Sequence, residues 1–301
     1  MFVASEAEAP AEEVTNAEPA ETFLVELWAP TRATIARAPA TGTIQNDDPY
    51  DLLAIDTTTG HLERWRYSGA ERIQRDTLVP DGTNELSTVV AVGDLNADGQ
   101  IDIVRQNPDT TLVVWFMAGA TRVGTATLNP ATPPNSNWFI GAIYDVDGDG
   151  QPDILWQNSS EGSLRVWYMT GTTMTSTELL TVNRSNDTTW RIVGTGDVNG
   201  DGHRDLVWWH PLDGWLQVWT MNGITRLSSV MLNPDRVADV NWKPMAVVDA
   251  NADGKPDLVW EHLNDGWLQV WYLNSVNLTD SVWMVPPQIL PSWRIVGSFT
   301  R

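Results

Sequence analysis

Apolar and polar residues alternate with a period of two over short stretches of this chain. Leu164-Arg-Val-Trp-Tyr-Met and Leu216-Gln-Val-Trp-Thr-Met each put alternate apolar side chains on one face, as a half-buried β-strand requires. Helical periodicity is almost absent. Around Trp190 the pattern predicts strands over Trp190–Gly194, Asp205–His210, Trp215–Met221 and Leu227–Leu232. An Asp/Gly loop follows the first strand, a Leu212-Asp-Gly turn the second, and the tight-turn pair Asn222-Gly223 the third.

The pattern repeats. Trp65, Trp115, Trp167, Trp219 and Trp271 stand 50, 52, 52 and 52 residues apart, and Trp138, Trp190, Trp242 and Trp293 stand 52, 52 and 51 apart. Asp94, Asp145, Asp197 and Asp249 follow at 51, 52 and 52. Three markers on one period define a unit of about 52 residues in five copies. Four strands per unit of this size predict an all-β fold, a β-propeller of about five four-stranded blades. A solenoid repeat is usually shorter and needs distinct terminal caps.

The chain ends point to ring closure. Trp293-Arg-Ile-Val-Gly297 copies Trp190-Arg-Ile-Val-Gly194, and only four residues follow it. A single extra strand would be an unpaired edge in an open array, whereas in a ring it completes the first blade, which lacks its own Trp-bearing first strand. Residues 22–40 echo Ala120–Thr127 loosely and leave open a sixth, composite blade.

Charge changes the picture next. The net charge is −21, from 39 acidic and 18 basic residues, and there is no cysteine. Binding along a nucleic-acid backbone needs a basic face, so nucleic acid is excluded as a partner, and cysteine chemistry is impossible. No apolar run is long enough to span a bilayer, and no signal peptide is visible. Seven glutamates precede residue 27 without a lysine or arginine. Residues 1–21, poor in large apolar side chains, are expected to be a disordered acidic tail, with the propeller occupying 22–301.

The remaining acid is concentrated in four loops holding thirteen aspartates. They run Asp94-Leu-Asn96-Ala-Asp98-Gly-Gln100-Ile-Asp102, Asp145-Val-Asp147-Gly-Asp149-Gly-Gln151-Pro-Asp153, Asp197-Val-Asn199-Gly-Asp201-Gly-His203-Arg-Asp205 and Asp249-Ala-Asn251-Ala-Asp253-Gly-Lys255-Pro-Asp257. Side-chain oxygens at positions 1, 3, 5 and 9, with the carbonyl of position 7 (Gln100, Gln151, His203, Lys255), suit one hard cation. Flexible all-oxygen ligation favours calcium, at about four sites, over magnesium or a softer metal. An EF-hand needs a bidentate Glu at position 12, but Arg105, Trp156, Trp208 and Trp260 stand there. A degenerate first copy, Thr43–Asp51, has lost position 1 and the glycine, and is expected to be empty or weak. Asp/Asn/Gly loops are also ordinary turn chemistry; four copies with every oxygen position filled tip the balance to metal.

The Asp-x-[Asp/Asn]-x-Asp-Gly-x-x-Asp loop, followed by Leu-x-Val-Trp, resembles FG-GAP/VCBS repeats over about residues 41–301. Such repeats occur in integrin α-subunit propellers, bacterial secreted proteins and some fungal lectins. The resemblance implies a calcium-bearing propeller and no single function. The period, the low blade count and the degenerate first loop depart from the family.

For function, no nucleophile elbow, metalloprotease helix or phosphate loop is present. A glycan-active enzyme is disfavoured, because nearly every clustered aspartate is assigned to calcium. Seventeen tryptophans suit a carbohydrate-binding, lectin-like module, although the two periodic series are expected to fill blade contacts. Tryptophans that break the repeat are the informative ones: Trp209, Trp215 and Trp267, where other units have Gln157, Ser163, Glu261, Gln106 or Thr111. They are the candidates for sugar stacking, with His210, His262, Asp213 and Asp265 as hydrogen-bonding neighbours. A protein-binding adhesin or scaffold is the alternative, so the partner is a glycan or an extracellular protein. Calcium-dependent loops place the protein outside the cell, secreted or at the surface, in a bacterial setting.

Overall fold

Short alternating strands punctuated by glycine turns fold, in a computed structural model, into β-structure with no helix among the described residues. Those are 21–25, 40–44, 49–83, 85–180 and 187–299. Residues 1–20 of the predicted tail, 26–39, and 45–48 of the degenerate loop lie outside them.

Among the described residues, strands β1 (Glu21–Val25) and β2 (Ala40–Ile44) pair with each other and with no other strand; the rest of the 22–40 stretch left open for a sixth, composite blade lies outside those residues. The first blade holds β3 (Tyr50–Asp56), β4 (Leu62–Ser68) and β5 (Glu71–Thr77). The second runs β6 (Thr88–Gly93), β7 (Asp102–Gln106), β8 (Leu112–Ala118), β9 (Thr121–Thr127). The third runs β10 (Trp138–Tyr144), β11 (Asp153–Asn158), β12 (Leu164–Thr170), β13 (Thr173–Leu179). The fourth is β14 (Arg191–Gly196), β15 (Asp205–Trp209), β16 (Trp215–Asn222), β17 (Thr225–Arg236), and the fifth β18 (Trp242–Val248), β19 (Asp257–His262), β20 (Trp267–Asn274), β21 (Asn277–Gln288). The last strand, β22 (Trp293–Phe299), pairs antiparallel with β3, Trp293 opposite Asp56 and Phe299 opposite Asp51. It supplies the strand the first blade lacks, as its sequence predicted. Outer strand β17 runs further than expected, to Arg236, because a bulge lets that residue pair with Trp215.

Five apolar clusters lie at the five junctions between neighbouring blades. Leu53 and Leu62 meet Ile103 and Trp115 between the first and second. Tyr50, Trp65 and Ile295 meet Val259 and Val270 between the first and fifth, so the two ends of the array pack on each other. Inner strands approach closely where glycine replaces a side chain. A Cβ on Gly93 would strike Ile143 of the next blade, and one on Gly297 would run into Val92. Both periodic tryptophan series are mainly core: Trp65, Trp115, Trp167 and Trp219, and Trp138, Trp190 and Trp293, are buried. Arg72, Arg122 and Arg226 lie over Trp65, Trp115 and Trp219 at 5.0, 4.4 and 4.4 Å, adding a cation–π contact to the buried ring. In the fifth blade the pattern loosens, and Trp242 and Trp271 are only half-buried.

Candidate metal loops and an aromatic face

Each Asp/Gly loop joins the first two strands of a blade, because an inner strand ends just before position 1 and the second strand begins at position 9. Position 1 organises the turn. Asp94 accepts from the backbone N–H groups of Asp98 (3.0 Å) and Gly99 (2.8 Å), and Asp145, Asp197 and Asp249 repeat the arrangement. Position 5 accepts from the N–H of position 7: Asp98 from Gln100, Asp149 from Gln151, Asp201 from His203, Asp253 from Lys255. The glycine at position 6 has positive φ in all four loops, 78° to 85°, a conformation glycine adopts without strain.

Positions 1, 3 and 5 come together. Carboxylate oxygens of Asp145, Asp147 and Asp149 lie within 4.8 Å of one another, a group able to hold a cation. In the other loops position 3 is Asn96, Asn199 or Asn251, and Asn96 and Asn199 donate to Asp98 and Asp201 at 2.9 and 2.8 Å.

Position 9 has another duty. The carboxylates of Asp102, Asp153, Asp205 and Asp257 are buried. Each accepts from the backbone N–H of loop position 2 (Leu95, Val146, Val198, Ala250) and from a third-strand N–H (Met117, Met169, Met221, Leu273), all at 2.8–3.0 Å. The carboxylate that the sequence reading made a fourth side-chain ligand is also a clasp between loop and third strand. Burial, and then the nearby loop aspartates, push these carboxyls up, to about 7 for Asp102 and Asp257 and about 6 for Asp153 and Asp205, against the backbone donors that pull them down.

The repeat-breaking tryptophans divide. Trp209 is buried in the cluster shared by the fourth and fifth blades, beside Val247, so it offers no face to a ligand and that expectation is corrected. Its equivalents Gln157 and Glu261 explain the burial. The Gln157 amide donates to Trp190 O at 2.6 Å, and Glu261 accepts from the Ile295 N–H at 3.0 Å, so this position serves the seam with the next blade. Trp215 is half-buried, with Arg236 over its ring at 5.3 Å. Trp267 is 38 % exposed.

Trp267 is not alone. Trp283, 52 % exposed, lies 5.4 Å from it by ring centroids, and Trp242 lies 5.9 Å beyond. Trp283 stands opposite Gln269 in the register, where the other blades have Met231, Leu179, Thr127 and Thr77. It breaks the repeat as Trp267 does, and the same sequence test reveals it. His262 packs against Trp242 at 5.2 Å, with Nε2 3.1 Å from Asp239 and Nδ1 3.2 Å from Asp265. The fourth blade copies this with His210 between Asp187 and Asp213, beside Trp190. The backbone N–H of Asn241, then His262, hold the exposed Asp239 below the usual carboxylate range.

The FG-GAP-like repeat pattern matches residues 94–156, 145–208 and 197–260, together more than half of the chain. No curated protein sequence matches. Among solved structures, that of the nidogen/laminin complex aligns with 16 % identity over 77 % of this chain and 76 % of that one, TM-score 0.45. The Dos1 propeller aligns with 9 % identity over 79 % of this chain, TM-score 0.39, and this chain spans 62 % of its length. The Photorhabdus luminescens Tc holotoxin pore aligns with 16 % identity, TM-score 0.42, over 88 % of this chain and 12 % of that one.

Proposed function

The chain belongs to the FG-GAP-like repeat family, and from that premise we propose that it is an extracellular, calcium-stabilised binding module whose ligand is a carbohydrate. The observation that carries the ligand class is the exposed, touching pair Trp267 and Trp283. Indole faces stack on the C–H face of a pyranose, and Asp239 and Asp265 beside them, their side chains 52 % and 59 % exposed, can accept from its hydroxyls. Positions 1, 3 and 5 of each loop, with Asp145, Asp147 and Asp149 the fullest set, would hold the ion. Bound there, calcium offsets the loop charge and joins first strand to second. Sites of modest affinity suit the millimolar calcium found outside cells.

Binding is favoured over catalysis because His262 and His210 have both ring nitrogens facing carboxylates. Neither has a nitrogen free to act as general base. A protein partner is the second reading, supported by exposed Val240, Val285 and Leu290 in the fifth blade and the linkers flanking it. Tryptophan fluorescence of the calcium-loaded protein, titrated with a panel of soluble oligosaccharides, tests the first. Saturable quenching that disappears in Trp267→Ala and Trp283→Ala is expected; no response to any sugar would sink it.

A further inference from the structure

All five inner strands wall a cavity of about 400 Å³, within the size range of small-molecule sites. Val90, Ile140, Val193, Met245 and Val296, one from each strand, give it an aliphatic stripe, and Tyr144, Thr195 and Ser298 are among the polar residues that share the wall. Among the residues reaching it from the metal loops is a single cation, Arg204, alongside Asp94 and Asp145. Arg204 occupies loop position 8, where the other loops carry Ile101, Pro152 and Pro256. Arginine ion pairs among the described residues belong to Arg64, Arg66, Arg75 and Arg294. Arg204 makes none at contact distance, although the charge of Asp197 acts on it; its guanidinium donates one long hydrogen bond, 3.4 Å, to the Thr195 carbonyl.

A guanidinium without an ion-pair partner at contact distance, lining the same cavity as that aliphatic stripe in a protein of net charge −21, can receive an anion. We propose that the cavity binds a medium-chain monocarboxylate, with the alkyl chain along the inner strands and the carboxylate on Arg204. The planar fork of donors suits a carboxylate held by two parallel hydrogen bonds, and the valine, isoleucine and methionine stripe suits an alkyl chain. Asp94 and Asp145 disfavour a doubly charged head such as phosphate. A second element rests on the calcium reading above. Ions in the loops that begin at Asp94 and Asp145 offset those charges, so calcium strengthens carboxylate binding and the carboxylate, in return, strengthens calcium binding.

The test is calorimetric titration of the full-length, calcium-loaded chain with octanoate and, separately, with octanol. Octanoate is expected to bind saturably at one site and to lose at least about tenfold in affinity, or roughly 1.4 kcal/mol, in Arg204→Gln. Arg204→Lys should keep part of the affinity, and octanol should bind both proteins equally. Met245→Trp, which fills the cavity, should abolish both ligands, and this keeps the proposal testable if Arg204→Gln folds poorly. Chelation should weaken octanoate more than octanol. Absence of octanoate binding, or equal octanoate affinity in wild type and Arg204→Gln, overturns the proposal. Sugar quenching at Trp267 and Trp283 is read separately and should be the same in Arg204→Gln, so failure of one reading leaves the other standing.

Discussion

The carboxylate of Asp257 accepts a hydrogen bond of 2.8 Å from the backbone N–H of Leu273, sixteen residues further on. Its other oxygen takes the N–H of Ala250 at 3.0 Å. One buried side chain thereby fixes the start of the loop and the middle of the blade at once. The loop can be ordered by this clasp on one side and by the aspartates of positions 1, 3 and 5 on the other. The same pair of bonds recurs at Asp102, Asp153 and Asp205.

Breaking the clasp should therefore destabilise the fold even with calcium saturating. Asp153→Ala leaves the N–H groups of Val146 and Met169 buried without acceptors, at about 1–3 kcal/mol each. Urea unfolding in excess calcium should show a clearly lower midpoint; an unchanged midpoint would refute the structural role.

Acidity gives a second expectation. The ninth-position carboxyls are raised to about 6 or 7 by burial, against about 3.9 in an unfolded chain. Between those values the native state holds more protons than the unfolded state, so stability falls as pH rises. Metal-free protein should melt at higher temperature at pH 5 than at pH 8. Calcium should raise the melting temperature most at pH 8, where all the loop carboxylates are charged. A metal-free protein more stable at pH 8 contradicts this.

Chelation is the third. Anything bound to the native state alone stabilises it by mass action, so EDTA should lower the melting temperature reversibly. Asp149→Asn, which removes one carboxylate from the 145/147/149 group, should weaken calcium binding in that loop and reduce the stoichiometry measured by elemental analysis at limiting calcium.

Trp209 and Trp283 should behave in opposite ways. Trp209→Ala empties a buried site at a blade seam, a loss of about 3–5 kcal/mol, while leaving sugar affinity of the folded fraction unchanged. Trp283→Ala touches an exposed ring and should change stability little while removing sugar-induced quenching. Thermal melts and titrations on both variants separate the two roles.

Gly297 offers a test of the junction between the last strand and the second blade. A Cβ there would run into Val92, and overpacking of this kind costs typically about 1–3 kcal/mol. Gly297→Ala should lower the melting temperature, and Gly297→Ala with Val92→Ala should recover part of the loss.

The sequence by itself determined the repeat, the four strands per unit, the loops, and the use of β22 as the first blade's missing strand. The strands and loops are written in local period and turn chemistry, and the use of β22 in the copying of one unit's first strand at the far end of the chain. It also marked the residues that depart from the period. Tertiary structure decided what the departures mean. Trp209 and Trp283 both break the repeat, yet one is sealed by the next blade and the other faces solvent, because exposure depends on a neighbouring blade's side chains and not on the residue's own strand. Spacing alone picked out Asp257 and its equivalents as ligands and could not show that they also clasp the blade. Their role as clasps depends on the N–H groups of a strand sixteen residues away, whose approach is set by how the blade folds back on itself.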